Sequence, residues 1–256
     1  MPAELWQYRE LAAQIAARDI KVRYRQSLLG GVWAVLQPVG AMVVFTIFFG
    51  GLADIPSDDA PYALFALVAL VPWTFFQNAL VLGSDSLVRN ASLVSKTYFP
   101  RIFVPAGVIA AGLVDMAIAF VVMIAVVLAF GETPTLGMLV LPLLVLVAVA
   151  AAMGVSTFLA ALNVRFRDVR YVVPFLAQLW LFISPVVYPS SLLDEPWRTL
   201  SAINPMVGVI EGFRWAVLGS DAPVDLMLIS AGSAILVLLA GLLYFARVER
   251  DFADVI

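Results

Sequence analysis

Asp115 sits near the middle of the long apolar run FVPAGVIAAGLVDMAIAFVVMIAVVLAF, and no other acid or base lies as deep in such a run. A carboxylate inside hydrocarbon is expensive and by default marks a functional site. It would suit a proton-coupled transporter, but proton relays draw on several ionisable groups. A neutral or hydrogen-bonded carboxylate facing the interior of a helix bundle is therefore the favoured reading. Asp85 and Arg89 are spaced as a helical ion pair, which gives local support rather than chemistry.

The rest of the usual catalytic repertoire is missing. With no His and no Cys, the chain lacks the common general base, a thiolate nucleophile and the commonest metal ligands. There is no GxxxxGK[ST] phosphate loop, no GxGxxG after a strand and no HExxH. Uphill transport by this chain would need an ion gradient or a separate ATPase. Aromatic residues make up 12%, among them Trp73, Phe75, Phe76, Trp180, Phe182 and Tyr188. They fit membrane-interface anchoring and equally a passage on which sugar rings stack.

The elements that carry these residues follow from composition. Of 256 residues, 63% are hydrophobic and 13% charged, and the mean hydropathy is +1.00. Soluble domains are nearer half apolar and one quarter charged, so this is an all-α integral membrane protein. Disordered, collagen-like and disulfide-scaffold classes are excluded. The net charge of −3 argues against nucleic acid, which needs a clustered basic surface.

A spanning helix needs roughly 20 mostly apolar residues. Five segments meet this, at about 32–52, 62–82, 103–130, 136–162 and 226–246. A sixth, at about 171–188, is shorter and is interrupted by Pro174, Gln178, Ser184 and Pro185. Six spans place both termini on one side. That side holds Arg9, Arg18, Lys21, Arg23 and Arg25, then Arg89, Lys96 and Arg101, then Arg165, Arg167 and Arg170, then Arg247 and Arg250. Only Arg198 and Arg214 lie opposite, among Asp54, Asp58, Asp59, Glu132, Asp194, Glu195, Glu211, Asp221 and Asp225. Basic residues are retained in the cytoplasm, so both termini are expected there.

The segments between spans are also patterned. Residues 1–30 read as a cytoplasmic amphipathic segment, with Leu5, Tyr8, Leu11, Ile15 and Ile20 near helical spacing, and such helices commonly lie in the headgroup plane. The loop SDSLVRNASLVSKTYFPRIFVP (84–105) reads as a short surface helix offering Leu93, Val94, Tyr98 and Phe99 to a cytoplasmic partner, or as a basic loop that only fixes topology. Residues 185–223 are moderately apolar and rich in Pro and Gly, which favours re-entrant external helices in 189–223 over a surface lid. Gly208 and Gly212 match the close-packing GxxxG spacing, a weak signal alone.

Four stretches, taken in order, resemble one family. DIKVRYRQSLLGGVWAVLQPV (19–39), NASLVSKTYFPR (90–101), NVRFRDVRYVVPFLAQLWLFISPVVYP (163–189) and INPMVGVIEGFRWAVLG (203–219) are similar to the ABC-2-type permeases of polysaccharide export. These are the membrane subunits of O-antigen, capsule and teichoic-acid exporters. The resemblance covers nearly the whole chain.

It implies a single transmembrane domain, a homodimer of this subunit in the inner membrane, and two nucleotide-binding ATPase subunits that bind ATP and Mg in place of this chain. No cofactor or metal is then expected here. By the same resemblance, Leu93, Val94, Lys96, Tyr98, Phe99 and Arg101 form the ATPase-coupling loop, with Arg165, Arg167 and Asp168 as weaker candidates. A lipid-linked glycan, anionic through its diphosphate, would start near Lys96 and Arg101 and pass Trp73, Phe76, Trp180, Tyr188 and Asp115. Export of a drug or small lipid, proton coupling at Asp115, and a purely structural scaffold are the rival classes.

Overall fold

The computed structural model describes residues 8–24, 31–96, 99–133, 135–249 and Phe252. Tyr98, Leu5, Arg25 and Arg250 lie outside them. Among the described residues the regular structure is helical. α1 is Arg9–Tyr24 and α2 is Val32–Phe45, continued by a π-helical turn at Thr46–Leu52. α3 (Tyr62–Ser84) returns to two short helices, α4 (Ser86–Arg89) and α5 (Ala91–Lys96). α6 (Phe103–Ala129), a 3-10 turn at Leu136–Val140, α7 (Leu141–Arg165) and α8 (Val169–Ile183) follow. A 3-10 turn at Ser190–Leu192, α9 (Trp197–Ser201), α10 (Pro205–Leu218) and α11 (Val224–Val248) complete the chain.

Five helical segments are long and apolar enough to cross a membrane, and each agrees with the sequence expectation to within three residues. α8, where the sequence places a sixth span, is a shorter apolar helix. Its 15 residues reach about 22 Å at 1.5 Å per residue, short of the roughly 30 Å hydrocarbon core. It stops at Ser184, which is extended (ψ 147) because the residue before a proline, here Pro185, is pushed out of the α region. A tight turn follows, in which the Val186 N–H donates to the Ser184 carbonyl at 2.7 Å, and the Tyr62 hydroxyl donates to the Val187 carbonyl just beyond it, also at 2.7 Å. Tyr188 therefore follows the helix and does not sit on it.

α3 is the centre. Of its most apolar window 78% is buried, against 6% for α2. The bundle has a basic end and an acidic end. At the basic end Ile15, Leu87, Val94, Phe99, Val104, Val164, Phe245 and Phe252 form one cluster, which gathers α1, the 84–105 loop, α7 and the tail. α1 runs with α6 instead of across its end. A Cβ on Gly107 would stand 3.0 Å from Ile15, the Tyr24 hydroxyl donates to Asp115, and Gly31 faces Ile118. Its C-terminal end thus reaches twelve residues into α6.

At the acidic end α9 and α10 make a hairpin that enters the bundle and returns. Arg198 of α9 stands level with Asp225 at the start of α11, 3.8 Å away. The Ile203 carbonyl accepts from Ser233, about 12 Å further along α11 by helical rise. Asn204 caps α10 by accepting from the Met206 N–H at 3.1 Å, Pro205 occupies the first turn, and left-handed Gly219 (φ 78) closes it. The GxxxG pair serves two neighbours: Gly208 meets α11 at Leu226 and Ser230, and Gly212 meets Leu144 of α7.

The closest helix approach joins α7 and α11. A Cβ on Gly241 would stand 2.1 Å from the Gly154 carbonyl oxygen, whereas one on Gly232 meets nothing within 4 Å. Gly241→Ala forces two backbones apart and should cost about 1–3 kcal/mol. Gly232→Ala should be neutral or stabilising by up to about 1 kcal/mol, through helix propensity. Heating the two purified variants in detergent checks this; equal melting temperatures would show that the approach is not tight.

Candidate functional site

The basic end is built from loops tied to one another. The Asn163 amide donates to the Ser84 carbonyl at 3.0 Å, and the Arg18 guanidinium donates to the Asn90 side chain at 2.9 Å. Arg101 is tied to the tail: its N–H donates to the Glu249 carboxylate at 2.9 Å and its guanidinium to the Glu249 carbonyl. Lys96, Arg165, Arg167 and Asp168 stay exposed. Val94 is 2% and Phe99 5% exposed, and Leu93 packs partly buried on the same cluster.

This corrects the expectation that Val94 and Phe99 are offered to a partner. The loop lies over an apolar seam between α7 and α11, and burying those side chains there is what holds it down. What the loop displays is its other face, with Ser92, Ser95 and Lys96 exposed. Arg101 likewise binds the chain's own tail and does not stand open for a phosphate.

The passage residues separate into groups. Trp73 (1%) and Phe76 (0%) are enclosed within the bundle, where they pack against their neighbours. Trp180 meets Phe76 edge-on, with ring centroids 5.2 Å apart. Tyr188 is half-buried at the acidic end. Burial, and then the nearby Glu211 carboxylate, push its hydroxyl above the ordinary tyrosine range. Asp115 does line a space, a groove of about 500 Å³ between α2, α3 and α6 with Gln37, Thr74, Gln77 and Asn78. Those four uncharged polar residues are absent from the sequence-based candidates. Their signal, isolated amides inside apolar runs, is much weaker than a charge.

Among the described residues Arg214 (3%) and Glu211 (7%) are the most deeply buried ions, and neither is a site candidate from the sequence; they pair at 3.0 Å. The guanidinium also donates to the Val186 carbonyl at 3.0 Å and lies 3.4 Å over the Phe65 ring. Glu211 accepts from the Ser190 N–H at 3.0 Å. Burial pulls the Arg214 value down, and the adjacent Glu211 charge opposes it. The pair fastens α10 to α3 and to the stretch after α8, beneath an outer cavity of about 790 Å³ that Asp58, Asp59, Glu132 and Asp221 also line. From sequence the two residues read as ordinary external charges; their spacing of three within an apolar segment was the available signal.

Compared with known proteins, residues 10–218 match the model of the family described as ABC-2 type transporter. The chain belongs to the ABC-2 transporter family. The ABC-2 relatives include an O-antigen export system permease protein RfbA of Myxococcus xanthus, 32% identical over 255 residues, covering 98% of this chain and 97% of that protein. A protein of the same name from Klebsiella pneumoniae is 27% identical, covering 96% and 95%. The polysialic acid transport protein KpsM of Escherichia coli is 23% identical, covering 78% of each. An ABC-2 protein with this many apolar helices is a multi-pass membrane protein.

Removing one member of a buried ion pair strands the other. Arg214→Met should cost about 3–5 kcal/mol, and Glu211→Leu added to it should restore most of that loss. Melting of the single and double variants in detergent measures the coupling. A double variant no more stable than the single would show that the pair does not hold the hairpin.

Proposed function

We propose that this chain is the permease subunit of an ATP-driven exporter of a lipid-linked polysaccharide, O-antigen in the first instance. The observation that carries this reading is the likeness, over nearly the full length of both proteins, to O-antigen export permeases. Capsule export is the second reading, favoured by the weaker likeness to the polysialic acid transport protein.

Two copies act together in the inner membrane, with the basic end and both termini in the cytoplasm. α3 fills the middle of one bundle, so the passage for a polymer lies between copies. The outer faces of α2 (Leu36, Val43, Val44) and α8 (Tyr171, Phe175, Phe182) are exposed and apolar, which suits contact with lipid and with the second copy. The orientation follows from the basic residues that crowd the loops at one end.

The chain itself performs no chemistry. Two ATPase subunits, holding ATP and Mg, dock on the basic end against Lys96, Arg165 and Arg167, and Asp168 adds a carboxylate to the same face. Leu93, Val94 and Phe99 anchor the coupling loop from within, so a push on its outer face reaches α7 and α11 as one unit. The glycan's diphosphate rests at this end, near Lys96.

Reversing charge at the docking face tests the reading. Lys96→Glu combined with Arg167→Glu should lower co-purification of the ATPase subunit about tenfold, while the permease stays folded and dimeric by size-exclusion chromatography. Undiminished co-purification would move the docking surface elsewhere. Failure of the unaltered permease to hold any ATPase subunit would overturn the exporter assignment.

A further inference from the structure

The groove between α2, α3 and α6 is polar where the surrounding helices are not. Gln37 and Trp33 come from α2, Thr74, Gln77 and Asn78 from α3, and Asp115 from α6. Gln37 lies five residues past the start of α2 and Asn78 six before the end of α3. By helical rise both stand roughly 8–9 Å from the basic ends of their helices. The groove therefore opens in the half of the bundle nearest the coupling loop.

Its amides are poorly satisfied by the described residues. Asn78 donates to the Gln37 carbonyl oxygen only at 3.4 Å. Among the described residues no hydrogen bond reaches the side chains of Gln77 or Thr74. An amide left unpaired in hydrocarbon costs several kcal/mol. Three amides and a hydroxyl facing one space of about 500 Å³ thus call for a polar occupant.

The chemistry of the lining narrows that occupant. It offers neutral donors and acceptors, one carboxylate, and the half-exposed Trp33 ring, and among the described residues it contains no Lys or Arg. A phosphate would require cations for charge-assisted hydrogen bonds. Sugar hydroxyls match amides and a carboxylate, and a sugar's C–H face matches an indole. We infer that this groove binds an uncharged sugar of the transported glycan, and not its diphosphate. The inference rests on the exporter reading above and adds a place to it: the phosphate stays at the basic surface while the first sugars sit inside the groove.

The test uses the permease–ATPase complex in lipid nanodiscs and the polyprenyl-diphosphate-linked glycan extracted from the source cells. Stimulation of ATP hydrolysis is measured against glycan concentration. Gln77→Ala and Asn78→Ala should each raise the half-saturating concentration about tenfold, the loss of one or two hydrogen bonds from a low-dielectric site. Val121→Ala, on the outer face of α6, should leave it unchanged. Competition separates the two parts of the ligand: free oligosaccharide should compete less well in the groove variants, and polyprenyl phosphate equally well in all. An unchanged half-saturating concentration, or weakened competition by polyprenyl phosphate, overturns the sugar site. So does dissociation of the variant into single permease chains, which would make the groove a contact between copies. If the unaltered complex does not respond to the glycan, the exporter reading itself fails.

Discussion

Hydrocarbon offers no water, so each polar group inside the bundle must find its partner in the chain. The helix contacts follow from this. The Ser156 hydroxyl of α7 donates to the Ala79 carbonyl of α3 at 2.8 Å, and the Asn163 amide holds the end of the same helix. The Ser230 hydroxyl of α11 accepts from the Gly208 N–H and donates to the Ala202 carbonyl. Each such bond fixes the level at which two apolar helices meet, which van der Waals packing alone leaves free to slide. Arg214 is the extreme case, a full charge that stays buried because a carboxylate, a carbonyl and a ring face surround it. Among the described residues the Trp73 ring N–H and the Asn163 side-chain oxygen stay buried without a partner, and the groove beside Asp115 gathers several more polar groups, Gln37, Thr74, Gln77 and Asn78, in one place.

Other hydrogen bonds connect the basic-end loop to the groove. α1 grips that loop at Asn90 through Arg18 and reaches the groove at Asp115 through Tyr24. The tail holds Arg101 from the other side. In the proposed exporter, a displacement of the loop by a docked ATPase would pass to the groove through α1, and to α7 and α11 through the apolar cluster around Val94 and Phe99.

What could be read from the sequence divides along physical lines. Long apolar runs are an unambiguous signal of length, so the five full spans stood out with their boundaries, as did the sorting of charge to two ends. The shortened α8 needed the rule that a residue preceding proline leaves the helix, applied at Ser184. Whether Val94 and Phe99 face a partner or the chain depends on what lies beneath the loop, namely side chains from α7 and α11 distant in sequence. Trp73 and Phe76 posed the same problem, since an aromatic on a central helix and one lining a passage look alike until the neighbours are in place. Glu211 and Arg214 looked external because the count of charges per side is blind to depth.

In the proposed exporter an engine in other subunits, and not a proton moving through Asp115, drives a glycan past this chain. Inverted membrane vesicles holding the permease and its ATPase subunits, supplied with lipid-linked glycan and ATP, put this to the test. Glycan should appear in the lumen only with both subunits and hydrolysable ATP, and at an unchanged rate when a protonophore collapses the pH gradient. Accumulation that stops with the protonophore, or that proceeds without the ATPase subunit, would contradict it.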